Sequence, residues 1–214
     1  DAQSYNVVGE IRGSEHPDQI VLLGAHLDSW DVGEGASDDG AGCAIVIEAA
    51  RAIAKYGPRR TVRVVLFAAE EIGGVGGAAY AKTHESELDK IVVTSEADAG
   101  EGRPLGLRMG VGPGHARDVQ RFASLLTPFG VPLLEGDAHA GTDVAPLQAK
   151  GVPGFQVRQD MSAYFDIHHT KNDVFGHIDQ ESLTQTTAVY ATLVYAATEL
   201  DDDLGRAPPP KSHW

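Results

Sequence analysis

One cysteine, Cys43, occurs in 214 residues, so an intrachain disulfide is impossible. No apolar run approaches the roughly 18 residues that a membrane-spanning helix needs, and no membrane span is expected. Basic residues are scarce: 17 Lys and Arg stand against 31 Asp and Glu, a net charge of −14. Arg59 and Arg60 are adjacent, but no basic stripe runs along the chain, which argues against nucleic acid as a partner. Glycine is abundant, at 25 residues, yet follows no three-residue period, so collagen is excluded and tight turns are expected instead. Internal repeats and long linkers are also missing. With 42% hydrophobic and 22% charged residues, the composition is that of a folded chain rather than a disordered one. A single domain over residues 1–214 is the resulting expectation.

What is present alternates. Residues 7–11, 19–25, 61–69, 90–95, 105–111 and 154–157 read as strands, several of them continuously apolar and β-branched. Residues 41–55, 76–84, 115–127, 143–150 and 180–200 read as helices, bounded in part by Gly57-Pro58, Pro128 and Gly151-Val152-Pro153. Residues 26–42 form an acidic, glycine-rich loop. Residues 201–214 carry three successive prolines and are expected to pack on the surface or fray. Apolar strands alternating with amphipathic helices predict an α/β fold, a mainly parallel mixed central sheet with helices on both faces.

In such a sheet, ligands bind at the carboxyl ends of the strands. Here each of those ends releases acids or imidazoles. The strand at 19–25 leads to His26-Leu27-Asp28, that at 61–69 to Glu70-Glu71, that at 90–95 to Glu96-Ala97-Asp98, and the one at 154–157, through a loop, to His168-His169. One such cluster would be ordinary loop polarity. Four at one edge suggest a metal. Imidazole and carboxylate without thiolate suit Zn2+, with Co2+ or Mn2+ as substitutes, and so many candidate ligands on separate loops suggest two ions sharing a carboxylate.

The ordered motifs carry a resemblance. His26-Leu27-Asp28-Ser29-Trp30-Asp31, Gly35-Ala36-Ser37-Asp38-Asp39-Gly40-Ala41-Gly42, Ala69-Glu70-Glu71, Glu96-Ala97-Asp98-Ala99-Gly100 and His168-His169-Thr170 are similar to those of the co-catalytic dizinc metallopeptidases. That family includes bacterial leucyl aminopeptidases. The similarity is strongest to its plasma glutamate carboxypeptidase (carboxypeptidase Q) branch and runs over residues 6–200. It implies a zinc-dependent exopeptidase acting on dipeptides or N-terminal residues, with two zinc ions per chain and a peptide as substrate. His26 and Asp98 then match the ligands of one ion, Glu71 and His169 those of the other, and Asp38 the carboxylate shared by both. Glu70 matches the general base. Asp28 matches the acid that orients His26, and a cis peptide is expected between Asp38 and Asp39. Asp173 matches an acid that follows the ligating histidine by four residues. The resemblance further implies a catalytic core lacking the N-terminal segment and protease-associated domain of relatives. It suggests a secreted or periplasmic location and leaves a homodimer open. A glutaminyl cyclase-like acyltransferase and an inactive receptor-type homologue are the alternatives.

Other residues are weighed against blander roles. Asp39 is expected to be structural. Asp143 either supports the site or caps a helix, and His139 either touches substrate or sits on a flexible loop. Tyr164 and Phe165 either wall a pocket or pack, and Asp160 or Asp166 would add charge to the site mouth. Cys43 reads as a small buried hydrophobe, and His213 as a surface residue.

Overall fold

The apolar runs become the middle of a six-stranded sheet. The computed structural model describes residues 2–211. Its strands are β1 (Val7–Ile11), β2 (His16–His26), β3 (Arg60–Phe67), β4 (Ile91–Glu96), β5 (Pro104–Gly110) and β6 (Gly154–Gln159), ordered β1-β3-β2-β4-β6-β5. The central four, β3, β2, β4 and β6, are parallel, and the edge strands β1 and β5 pair antiparallel to their neighbours. The helices are α1 (Gly42–Ala54), α2 (Val75–Thr83), α3 (Ala116–Leu125), α4 (Ala145–Gln148), α5 (Tyr164–Ile167) and α6 (Gln180–Thr198).

Side chains alternate across β2 and build two cores. Val21, Leu23 and Ala25 join Ile45, Val46 and Ala49 of α1 and Val189, Leu193 and Val194 of α6. Ile20 and Leu22 face the other way, toward Tyr80 of α2 and Leu147 of α4. A strand covered on both faces has no polar side, hence its unbroken apolar run. The helix expected over 143–150 contracts to α4, because Thr142 and Val144 are engaged in turns ahead of it.

The chain beyond α6 packs rather than frays over its described part. Leu204 and Ala207 are buried, and the Arg206 guanidinium donates to the carbonyls of Leu88 and Ile91. His213 lies outside the described residues. Arg60 is buried and donates to the Thr198 carbonyl at 3.2 Å and to that of Leu200. It supplies a cation where the last carbonyls of α6 lack partners. No helix among the described residues is long and apolar enough to cross a membrane.

Candidate metal centre

Parallel register brings the strand ends together: His26 of β2 pairs with Phe67 of β3, and Gly24 with Glu96 of β4. The segments that follow these ends, with the 26–42 loop and the turn after α5, converge on Asp38. Asp38 Oδ1 lies 3.1 Å from His26 Nε2, which is also 3.5 Å from Asp98 Oδ1. Asp38 Oδ2 lies 3.3 Å from His169 Nε2, which is 2.8 Å from Glu71 Oε2. The two oxygens of one carboxylate thus face two separate sets of donors. Zinc bonds of 2.0–2.1 Å at tetrahedral angles place ligand atoms about 3.3 Å apart, the spacing these donors already show.

The electrostatics also fit a cation. The ion pairs of Asp28, Asp38, Asp98 and Glu71 among the described residues are all to histidine, and none is to Lys or Arg. Glu71 Oε1 is buried without a hydrogen-bond partner among the described residues. Burial, and then the Asp98 charge, push the Glu70 carboxyl up to about 7. Burial, followed by Asp38, also raises Glu71. Asp39 and Glu96 are pushed well up by burial and by Asp98. Burial disfavours a charged His26, but its contacts with Asp38 and Asp98 outweigh that and raise its pKa. The site is an excess of buried negative charge that divalent ions would balance.

Several side chains hold the donors in place. Asp39 accepts from the His26 N–H (2.9 Å) and the Gly42 N–H (3.1 Å), so it ties α1 to β2 and has the structural place expected of it. A side chain at Gly42 would collide with the Ala97 carbonyl, so its absence lets α1 approach the end of β4. Asp173 accepts from the Ser37 N–H at 2.6 Å and the Asp38 N–H at 3.1 Å. The Asp38–Asp39 peptide is cis. Asp28 holds His26 chiefly through its backbone: His26 Nδ1 is 2.9 Å from the Asp28 carbonyl and 3.8 Å from its carboxylate. That carboxylate instead accepts the N–H groups of Glu70 (3.0 Å) and Glu71 (3.2 Å). Cys43 is half-buried rather than a plain core residue. Its Sγ donates to the His26 carbonyl at 3.1 Å, and burial pushes the thiol up to about 12.

The two histidines sit on a turn. The Thr170 N–H bonds the Ile167 carbonyl at 3.0 Å, His168 has φ −48° and ψ 128°, and His169 has φ 59°. This is the type II pattern, whose third position favours glycine. Trp30 stacks on His169 with centroids 4.6 Å apart, and His168 stacks on it at 3.6 Å. Tyr164, buried, and Phe165, exposed, both pack against His168. Nothing in the spacing of Trp30 announced this stack; it sits in the first motif without a role of its own.

Asp143 is buried and takes the capping role considered for it. Its Oδ1 accepts from the Gly77 N–H in the first turn of α2, and its own N–H donates to Glu96 Oε2. Burial raises its carboxyl to about 6. His139 lines a small cavity with Glu96 and Asp98. Asp160 lines a pocket of about 220 Å³ beside Ser37 and Tyr164, while Asp166 is exposed.

Known proteins resemble this chain over nearly its whole length. Carboxypeptidase Q of Rattus norvegicus is 39% identical over 97% of this chain, and that of Bos taurus 40% over 97%. The chain spans 44% of the length of each. The crystal structure of a peptidase M28 precursor from Shewanella amazonensis superposes with a TM-score of 0.93 at 46% identity, over 96% of this chain and 47% of that one. A zinc aminopeptidase from Bacillus subtilis shares the fold, with a TM-score of 0.72 at 24% identity over 95% of this chain and 52% of its own. The model of peptidase family M28 matches residues 6–194, every donor around Asp38 included, and the chain belongs to that family.

Proposed function

We propose that this chain is the catalytic unit of a dizinc exopeptidase that cleaves dipeptides or removes N-terminal residues. The observation that carries the reading is Asp38, whose two carboxylate oxygens face His26 and His169 at 3.1 and 3.3 Å. His26, Asp38 and Asp98 would hold one ion; Asp38, Glu71 and His169 would hold the other. Zinc bound there supplies a Lewis acid for the scissile carbonyl and lowers the pKa of a water toward ~7.

Glu70 is the base. Its carboxylate takes one proton from the water as the oxygen adds to the carbonyl carbon. It then delivers that proton to the amide nitrogen as the C–N bond breaks, releasing the amine. Burial raises its proton affinity to about 7, and a nearby cation opposes that shift. Asp28, accepting the N–H groups of both glutamates, fixes the turn that carries base and ligand. Asp160, in a pocket it shares with Ser37 next to Asp38, would suit a free α-amino group and favour an exopeptidase over an endopeptidase. The relatives, a carboxypeptidase Q and a zinc aminopeptidase, point the same way.

Metal analysis of the purified protein, run with free, amino-blocked and carboxyl-blocked dipeptides, tests the reading. The expected result is two zinc ions per chain, cleavage of free dipeptides and loss of cleavage on blocking the amino group. Cyclisation of an N-terminal Gln without hydrolysis, or a chain that takes up no zinc, would overturn it.

A further inference from the structure

His168 is left without a task by the two metal positions, although its ring faces them. Its Nε2 lies 3.3 Å from Asp38 Oδ2, the same separation as that of His169. With Asp38 the two imidazoles have the spacing of a metal triad. The ring planes argue against shared ligation. An imidazole binds a metal in its own plane, along the nitrogen lone pair. The rings of His168 and His169 are stacked with centroids 3.6 Å apart and planes only 20° from parallel. Planes so disposed do not converge within a metal–nitrogen bond of about 2 Å. His169 is the ring that also reaches Glu71, at 2.8 Å. His168 is therefore the neighbour of the metal position and not part of it.

Its setting is that of a fixed, partly open donor. The stack with His169 covers one face of the ring, and Tyr164 and Phe165 pack against the rest. The side chain remains 27% exposed, beside an Asp38 that is itself buried. Apart from that approach to Asp38, its ring makes only aromatic contacts among the described residues.

We propose that His168 is a catalytic hydrogen-bond donor, its Nε2–H directed at the scissile carbonyl oxygen and holding the negative charge that gathers there as the carbon becomes tetrahedral. The proposal rests on the peptidase reading above. A donor locked in place before reaction stabilises developing charge without reorganising, and removal of one such donor typically lowers kcat by about 10²–10³-fold.

The test uses the zinc-loaded chain and two substitutions. His168→Phe keeps a flat ring against His169 but removes the donor; His168→Gln restores an N–H. A phosphinic pseudodipeptide, tetrahedral and anionic at the scissile position, is the probe, and free leucine is the product-like control. In His168→Phe, kcat and pseudodipeptide affinity should each fall by about 10²–10³-fold. KM, leucine affinity and the zinc content should stay as in the unsubstituted chain, and His168→Gln should recover part of the loss. Zinc loss in His168→Phe would make His168 a ligand and overturn the proposal. So would an unchanged pseudodipeptide affinity, or a rise in KM alone confined to substrates with a free carboxylate. Failure of the unsubstituted chain to cleave any dipeptide would overturn the peptidase reading itself, and this proposal with it.

Discussion

Glu70 and Glu71 are adjacent acids with separate surroundings. Glu71 reaches His169, whereas Glu70 feels Asp98, His26 and Asp143. Alternation along an extended strand suggests such a divergence, but it is not the cause. β3 ends at Phe67, and Ala69 has a left-handed backbone with φ 61°. The chain has already turned, and Asp28 clamps the two N–H groups beyond the turn. If Glu70 is the base and Glu71 a ligand, their amide variants fail differently. Glu70→Gln should keep both zinc ions while kcat drops by roughly 10²–10⁴-fold. Glu71→Gln should lose zinc and regain part of its activity when zinc is added. Metal titration beside steady-state kinetics separates them, and the reverse pattern would exchange the two roles.

At the scale of elements, the donors are carried by turns held from a distance. α2 starts directly after Gly74, which has no side chain to cap it. Asp143, 66 positions along from Gly77, accepts that residue's N–H instead. Asp143→Asn keeps an acceptor and removes the charge; Asp143→Ala removes both. Urea denaturation should find the alanine variant less stable than the asparagine variant by about 1–3 kcal/mol, the usual penalty for an unpaired buried donor. Equal stabilities would mean that another group takes over the Gly77 N–H. This long-range support marks where the sequence stops being readable. Strands β2, β3 and β4 were legible because burial on both faces leaves an unbroken apolar run. Their acids and imidazoles were legible because parallel strands deliver their ends to one edge. The grip of Asp173 on the Asp38 backbone spans 135 positions, and no periodicity records it. The antiparallel direction of β1 and β5 was equally hidden, since strand direction depends on pairing. The turn at His169 broke the local rule outright. A left-handed histidine costs of the order of 1–3 kcal/mol, and glycine, which would relieve it, offers no imidazole.

Across the whole molecule, the proposed donors come from five separate stretches between His26 and His169, in a chain of net charge −14. Without cations, Asp38, Glu71 and Asp98 crowd together with only histidines to offset them. Ions bound there would both cancel that repulsion and tie the ends of β2, β3 and β4 to the turn after α5. A ligand that binds only the folded state at 100 times its Kd stabilises it by about 2.7 kcal/mol, so two such ions contribute about 5 kcal/mol. For a domain of this size each kcal/mol moves the melting temperature by roughly 2–4 °C. Chelation should therefore lower Tm by roughly 10–20 °C, and stoichiometric zinc should restore it in two steps of calorimetric uptake. In Asp38→Ala, which removes the shared carboxylate, chelation should shift Tm far less, because neither ion is held well to begin with. An unsubstituted chain whose Tm ignores chelator and zinc alike would show that the acids around Asp38 do not bind metal in the folded protein.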